Sequence, residues 1–103
     1  MKLTQLEYFC VAARYHNITR ASKELFVTQP SVSNAIKALE EEFGVNLFYR
    51  NNNKLTLTPE GKKLQAAIEK EQQKTEQLLR QAVSEEELKI FFEVMEKFKK
   101  SIQ

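Results

Sequence analysis

A mainly α-helical fold, three short helices followed by a β-hairpin and a longer helical extension, is predicted for this 103-residue sequence by three observations. Only two Gly and two Pro interrupt the chain, and 42% apolar with 29% charged residues is the composition of a globular rather than a disordered protein. Apolar residues recur at three- and four-residue spacing through most of the length. That recurrence breaks once, where two short runs that read as strands flank Asn51-Asn52-Asn53.

Leu3, Leu6, Phe9, Cys10 and Ala13 share one helical face, and Thr4 with Glu7 three residues on has the form of a capping box, which predicts a first helix over about 4–15. The chain restarts in the region of Asn17 and Thr19, with Thr19 as N-cap of a short helix that buries Ala21 and Leu25 and ends near Phe26. Val27-Thr28-Gln29 is a tight connection. Pro30 suits the first position of the next helix, where its missing N–H has no helical partner, and Gly44 stops that helix after Phe43. Leu47-Phe48-Tyr49-Arg50 and Lys54-Leu55-Thr56-Leu57 form the hairpin, since Asn tolerates the positive φ of hairpin turns. Thr58-Pro59-Glu60 then opens a long helix reaching about residue 82, and Ser84 with Glu87 opens another ahead of Leu88, Phe91, Phe92, Met95, Phe98 and Ile102. The expected division is a head over 1–58 and a helical extension over 59–103, with no internal repeat.

Composition narrows function. The lone Cys10 cannot form an internal disulfide and falls in an apolar helical pattern, where an inert thiol is the usual role. There is one His, His16, no Asp, and no cluster of Cys, His and carboxylates at ligand spacing, so no metal site, no cofactor and no enzyme is expected. No run approaches the roughly 20 apolar residues of a membrane span, and the N-terminus lacks a signal-peptide layout, so a cytoplasmic protein without membrane contact is expected. The net charge of +2 is small, but residues 1–63 hold nine Lys or Arg against six Glu and residues 64–103 hold seven against eight. The positive excess belongs to the head.

Three helices, a hairpin and a long helix give the order of a winged helix-turn-helix, whose third helix enters the major groove of DNA. At 100° per residue Val32, Ile36, Leu39 and Phe43 form the core stripe of that helix, which turns Pro30, Asn34, Lys37 and Glu41 outward, flanked by Ser31, Ser33 and Ala38. The start of this face is small and polar, Gln29 and Asn34 carry amides able to pair with adenine, and the helix N-terminus favours phosphate. Glu40, Glu41 and Glu42 would be repelled by phosphate and sit at the far end. On spacing alone, a merely solvated helix face is the competing explanation.

The run Leu25-Phe26-Val27-Thr28-Gln29-Pro30-Ser31-Val32-Ser33, continued by Ile36, Leu39-Glu40, Gly44 and Leu47-Phe48-Tyr49-Arg50, resembles the helix-turn-helix signature of LysR-type transcriptional regulators. Leu6, Phe9 and Leu57-Thr58-Pro59-Glu60-Gly61 also fall where that family has them, so the resemblance covers about residues 1–65. It implies double-stranded DNA as partner, base and phosphate contacts from Gln29, Pro30, Ser31 and Ser33, a wing contact from Arg50, and backbone contacts from Thr19 and Arg20. Asn34 departs from the Arg or Gln often seen there, and Asn51-Asn52-Asn53-Lys54 replaces a more basic wing turn, which puts base preference in doubt and weakens the electrostatic grip. With Lys37, Asn52 and Lys54 added, these residues make up the expected DNA-binding set. The large effector-binding domain of LysR-type regulators is missing, and residues 84–103 resemble, over a short span, the terminal helix of MarR-type regulators. The sequence is thus either a minimal stand-alone regulator or a domain without its natural remainder.

The long helix spaces Leu64, Ala67, Ile68, Glu71, Thr75, Leu78, Leu79 and Ala82 near heptad intervals. Such a stripe needs a cover. The resemblance implies antiparallel pairing with a second copy, and a homodimer would address a pseudo-palindrome. The expected pairing set is Leu64, Ile68, Leu78, Leu79, Phe91, Phe92, Met95 and Phe98, because these add more apolar surface than the head alone would bury. The alternative is that residues 84–103 fold back over the stripe within one chain. Two other functions stay open: a winged helix used as a protein-interaction scaffold, which would show an apolar or acidic face, and an antagonist that pairs with a full-length regulator through 59–103.

Overall fold

The structure, a computed structural model, describes residues 1–52, 54–71 and 85–102. Its elements are α1 (Leu3–Tyr15), α2 (Ile18–Leu25), α3 (Gln29–Phe43), β1 (Phe48–Asn51), β2 (Lys54–Leu57), α4 (Pro59–Glu71) and α5 (Glu85–Ile102). The fold is a winged helix-turn-helix. The Ser84 start signal, Asn53, Leu78, Leu79 and the expected end of the long helix near residue 82 lie outside the described residues.

Local chemistry moves three of the expected helix starts. Lys2, not Thr4, caps α1, and its N–H donates to Gln5 Oε1 at 3.0 Å, so Thr4 lies inside the first turn. Asn17 displaces Thr19 as the cap of α2. The backbone of Asn17 is extended, its Oδ1 accepts the Arg20 N–H at 2.8 Å, and Thr19 is already helical, its carbonyl accepting the Ser22 hydroxyl at 2.7 Å. Thr28 caps α3 by accepting the Ser31 N–H at 3.2 Å, which makes Gln29 the first helical residue and Pro30 the second, where its missing N–H still has no helical partner. Gly44 ends α3 as expected, with φ of 71° and its N–H on the Glu40 carbonyl at 2.9 Å.

The hairpin is antiparallel, pairing Phe48 with Leu57, Tyr49 with Thr56, Arg50 with Leu55 and Asn51 with Lys54, and Asn52 turns the chain at φ of 58°. Opposed residues share a face. Phe48, Leu55 and Leu57 are buried, so Arg50 stands on the helix side, whereas Tyr49, Asn51, Lys54 and Thr56 stand outward. Leu47 precedes the ladder rather than starting it: its carbonyl accepts the Thr58 N–H at 3.0 Å. Thr58 also donates its hydroxyl to the Asn46 carbonyl at 2.6 Å and accepts the Gly61 N–H at 3.0 Å, which fixes where α4 leaves the wing.

One buried cluster runs from Leu6 and Phe9 of α1 through Val32, Ile36, Leu39 and Phe43 of α3 to Leu55 and Leu57 of β2. It continues into Leu64 and Ile68 of α4 and Phe91 and Met95 of α5. Helix α5 lies against α4 and reaches α3, where Phe98 meets Phe43 edge to face with centroids 6.4 Å apart and Lys99 pairs with Glu42 at 3.1 Å. Several residues of the expected pairing set are covered within the single chain. Leu64, Ile68, Phe91 and Met95 are interior to the single chain, because α5 covers the α4 stripe, and Phe92 and Phe98 are half-buried. Among the described residues no helix is long and apolar enough to cross a membrane, and no group of three His, Cys, Asp or Glu side chains could hold a metal ion.

Candidate nucleic-acid interface

The interface begins with the rotation of α3. Val32, Ile36, Leu39 and Phe43 are fully buried, so the helix has one orientation, and Gln29, Pro30, Ser31, Asn34 and Lys37 emerge on its solvent side. Ser33 is half-buried at the edge of that face. Thr28 holds Ser31 twice, through the amide and through an Oγ–Oγ contact of 2.8 Å. Among the described residues, no hydrogen bond or ion pair holds the side chains of Gln29, Asn34 or Lys37. The first three turns therefore combine exposed amide groups, small side chains and a cation on a rigid helix, a surface that offers hydrogen bonds to base edges without an acid in the way.

Arg50 is joined to this face. Its Nη1 donates to Ser33 Oγ at 3.1 Å, and its Nη2 lies 3.5 Å from Glu40 Oε1. Glu40 in turn accepts the N–H groups of Leu47 at 2.8 Å and Phe48 at 3.4 Å on Oε2. Sequence reasoning missed this role. Glu40 was grouped with Glu41 and Glu42 as a charge held away from phosphate, although it lies four residues after Ile36 and three before Phe43, on the core side of the helix. Only 14% of its side chain is exposed.

Thr19, Arg20 and Lys54 form a second group, apart from Arg50. The Arg20 guanidinium stands 4.9 Å over the Tyr15 ring and 3.9 Å from Glu24, at the rim of an open depression lined by Tyr15, Asn17, Thr19, Arg20 and Lys23. An isolated bridge between Asn17 and Lys54, with the Leu55 N–H on the His16 carbonyl at 3.0 Å, brings the wing alongside the α1–α2 junction. Lys54 thereby shares a depression with Tyr15, His16 and Asn17. Arg50 and Lys54, both in the expected DNA-binding set, are on opposite faces of the hairpin. Neither Lys23 nor Tyr15 is singled out in the sequence: Lys23 lines the Arg20 depression, and Tyr15 lines both that depression and the one beside Lys54, which only the tertiary bridge creates. Asn52 is exposed at the wing tip, away from any described partner.

The model of the lysR family of bacterial regulatory helix-turn-helix proteins matches residues 3–62, and the chain belongs to that family. The glycine cleavage system transcriptional activator of Escherichia coli (strain K12) is 52% identical over 59 residues, which are 57% of this chain and 19% of that protein. The HTH-type transcriptional regulator BsdA of Bacillus subtilis (strain 168) is 48% identical over 62 residues, 59% of this chain and 21% of that protein. The chain thus spans about a fifth of the length of these relatives. Among solved structures, the complex of the BenM DNA-binding domain with catB site 1 DNA superposes with a TM-score of 0.67 at 32% identity, covering 77% of this chain and 89% of that one. The CbnR DNA-binding domain bound to DNA gives 0.62 at 35% identity, covering 64% and 76%.

Proposed function

We propose that this chain is a sequence-specific DNA-binding transcriptional regulator of the cytoplasm, with the first turns of α3 in the major groove and the wing on the backbone or minor groove. The observation that carries the reading is the exposed polar start of α3 opposite a fully buried stripe, with Arg50 held at its edge. Its likeness to two domains solved with DNA supports the same pose. Gln29, Ser33 and Asn34 read base edges, Pro30, Ser31 and Lys37 line the groove, Arg50 and Asn52 meet the backbone from the wing, and Thr19, Arg20 and Lys54 meet it from the α1–α2 side. In this reading the head, residues 1–58, carries the duplex contacts and the extension carries pairing, so that a dimer addresses a pseudo-palindrome. With Leu64, Ile68, Phe91 and Met95 interior, pairing uses the remaining apolar positions of the extension, Phe92, Phe98, Leu78 and Leu79. No enzymatic step, cofactor or membrane contact enters this function.

Selection of random duplexes by the purified chain at near-physiological salt, with its solution mass recorded on the same sample, tests the proposal. Enrichment of a two-fold symmetric site by a dimer is the expected result. A folded protein that enriches no sequence would overturn the regulator reading and leave protein pairing as the role of the chain.

A further inference from the structure

Glu40 joins the recognition helix to the wing. One carboxylate oxygen is fixed by the backbone N–H groups of Leu47 and Phe48, at 2.8 and 3.4 Å, where α3 hands over to β1. The other faces Arg50 Nη2 at 3.5 Å, while Arg50 Nη1 reaches across to Ser33 Oγ at 3.1 Å. A sheltered carboxylate anchored by two amides is a rigid acceptor, and a guanidinium resting on it loses much of the rotamer freedom that a long side chain otherwise keeps. These contacts use one face of the guanidinium fork and leave further N–H donors for an anion.

We propose that Glu40 is a positioning residue for DNA recognition: it fixes Arg50 beside Ser33 before the duplex arrives, so that Arg50 meets the phosphate adjoining the bases covered by the first turns of α3. The inference rests on the DNA-binding reading given above. Glu40 touches no nucleotide in this account. Its negative charge offsets part of the attraction Arg50 exerts at long range, and its gain lies in orientation, since a side chain already held in its bound geometry loses less entropy on binding.

Glu40→Gln separates orientation from folding, because glutamine keeps a carbonyl oxygen for the Leu47 and Phe48 amides while the atom facing Arg50 becomes an uncharged NH2 donor that cannot hold it. The variant, Arg50→Ala and the double variant are titrated with the selected duplex and a random one over a salt series. Glu40→Gln is expected to bind both duplexes about threefold to tenfold more weakly, the size of a coupling through one neighbour, and the double variant to bind no more weakly than Arg50→Ala alone. Additive losses would overturn the proposal, since a displaced wing would still matter without Arg50, and so would tighter binding by Glu40→Gln. A DNA-free arm keeps the two readings distinguishable: slowed rotation of the Arg50 guanidinium, followed by nitrogen NMR, is expected in the parent chain and lost in Glu40→Gln while the Leu47 amide stays protected from exchange. An Arg50 signal unaffected by Glu40→Gln would refute the positioning role even if the duplex titrations failed altogether.

Discussion

Gln29 and Arg50 occupy the same face but are held differently, and that sets what each can contribute. Gln29 is exposed with an amide that no described neighbour engages, so its hydrogen bonds are available to a base edge. Gln29→Ala is expected to cost about 1–3 kcal/mol on the selected site and little on random duplex, and equal losses on both would exclude base reading. Arg50→Ala is expected to weaken every sequence alike and flatten the salt dependence by about one unit, as the loss of one phosphate contact does. The outward side of α3 was legible from the 100° rotation that buries Val32, Ile36, Leu39 and Phe43, whereas the role of Arg50, on the wing strand, was legible only through the family resemblance. Glu40 was not, because a run of three glutamates reads as a solvated charge cluster until the fold brings the amides of Leu47 and Phe48 to one of them. Phe26 is a different case: it caps α2 at φ of 58° with its side chain 95% exposed. A ring that packs on nothing among the described residues, on a residue in the left-handed region, costs stability there, and Phe26→Gly is expected to stabilise the fold by about 1 kcal/mol. Thermal melting checks it through a rise of about 4–8 °C for a domain of this size; a fall would show that the ring packs on the chain after all.

At the scale of elements, the sequence carried helix periods well and helix starts poorly. Asn17 and Thr19 are both good caps in isolation. The choice between them is tertiary: the Asn17–Lys54 bridge and the bond from the Leu55 N–H to the His16 carbonyl hold residues 16 and 17 out of the helix, so capping falls to Asn17. Single-sequence patterns contain neither contact. The junction between wing and α4 was legible as Thr58-Pro59-Glu60, but the reason for the following glycine was not. A Cβ at Gly61 would lie 2.2 Å from the Leu47 carbonyl oxygen and 2.9 Å from Leu57 Cδ2. The obstructing oxygen belongs to the backbone and already accepts the Thr58 N–H, so it cannot swing aside. Gly61→Ala is therefore expected to destabilise by about 1–3 kcal/mol despite alanine's better helix propensity, read as a lower denaturant midpoint at unchanged slope. A gain in stability would mean that α4 can lift from the wing without loss.

For the whole molecule, the sequence showed that the α4 stripe needs a cover and could not say which surface supplies it. A hydrophobic pattern fixes the area to be hidden, and a second copy or a returning helix hides it equally well. Helix α5 returns, and a polar clasp holds its end to α3. Glu42 accepts the Met1 ammonium at 2.8 Å and Lys99 at 3.1 Å, while Lys99 also pairs with Glu96 at 3.0 Å. Burial pushes the Glu42 carboxyl up, but the two cations outweigh it and hold the group below its ordinary value. Glu96 and then Glu42 hold Lys99 above the usual lysine range, against a smaller opposing effect of burial. A depressed carboxyl contributes stability that is present above its unfolded value of about 4.3 and is lost as pH falls through the lower folded value. A raised ammonium contributes stability that is present below about 10.4 and is lost as pH rises through the higher folded value. The clasp is thus complete across the neutral range and fails at both ends, with the acid side assigned to Glu42. Melting temperatures of the parent chain and Glu42→Gln, taken from about pH 3 to neutrality, isolate that side, since every other carboxylate titrates in both proteins. The gap between them is expected to be widest near neutral pH and to close as the carboxyl of Glu42 takes up its proton, with the amides of α5 losing exchange protection over the same interval. A gap that stays constant down to the lowest pH would mean that the packing of Phe91, Met95 and Phe98 holds α5 in place without help from the charge on Glu42.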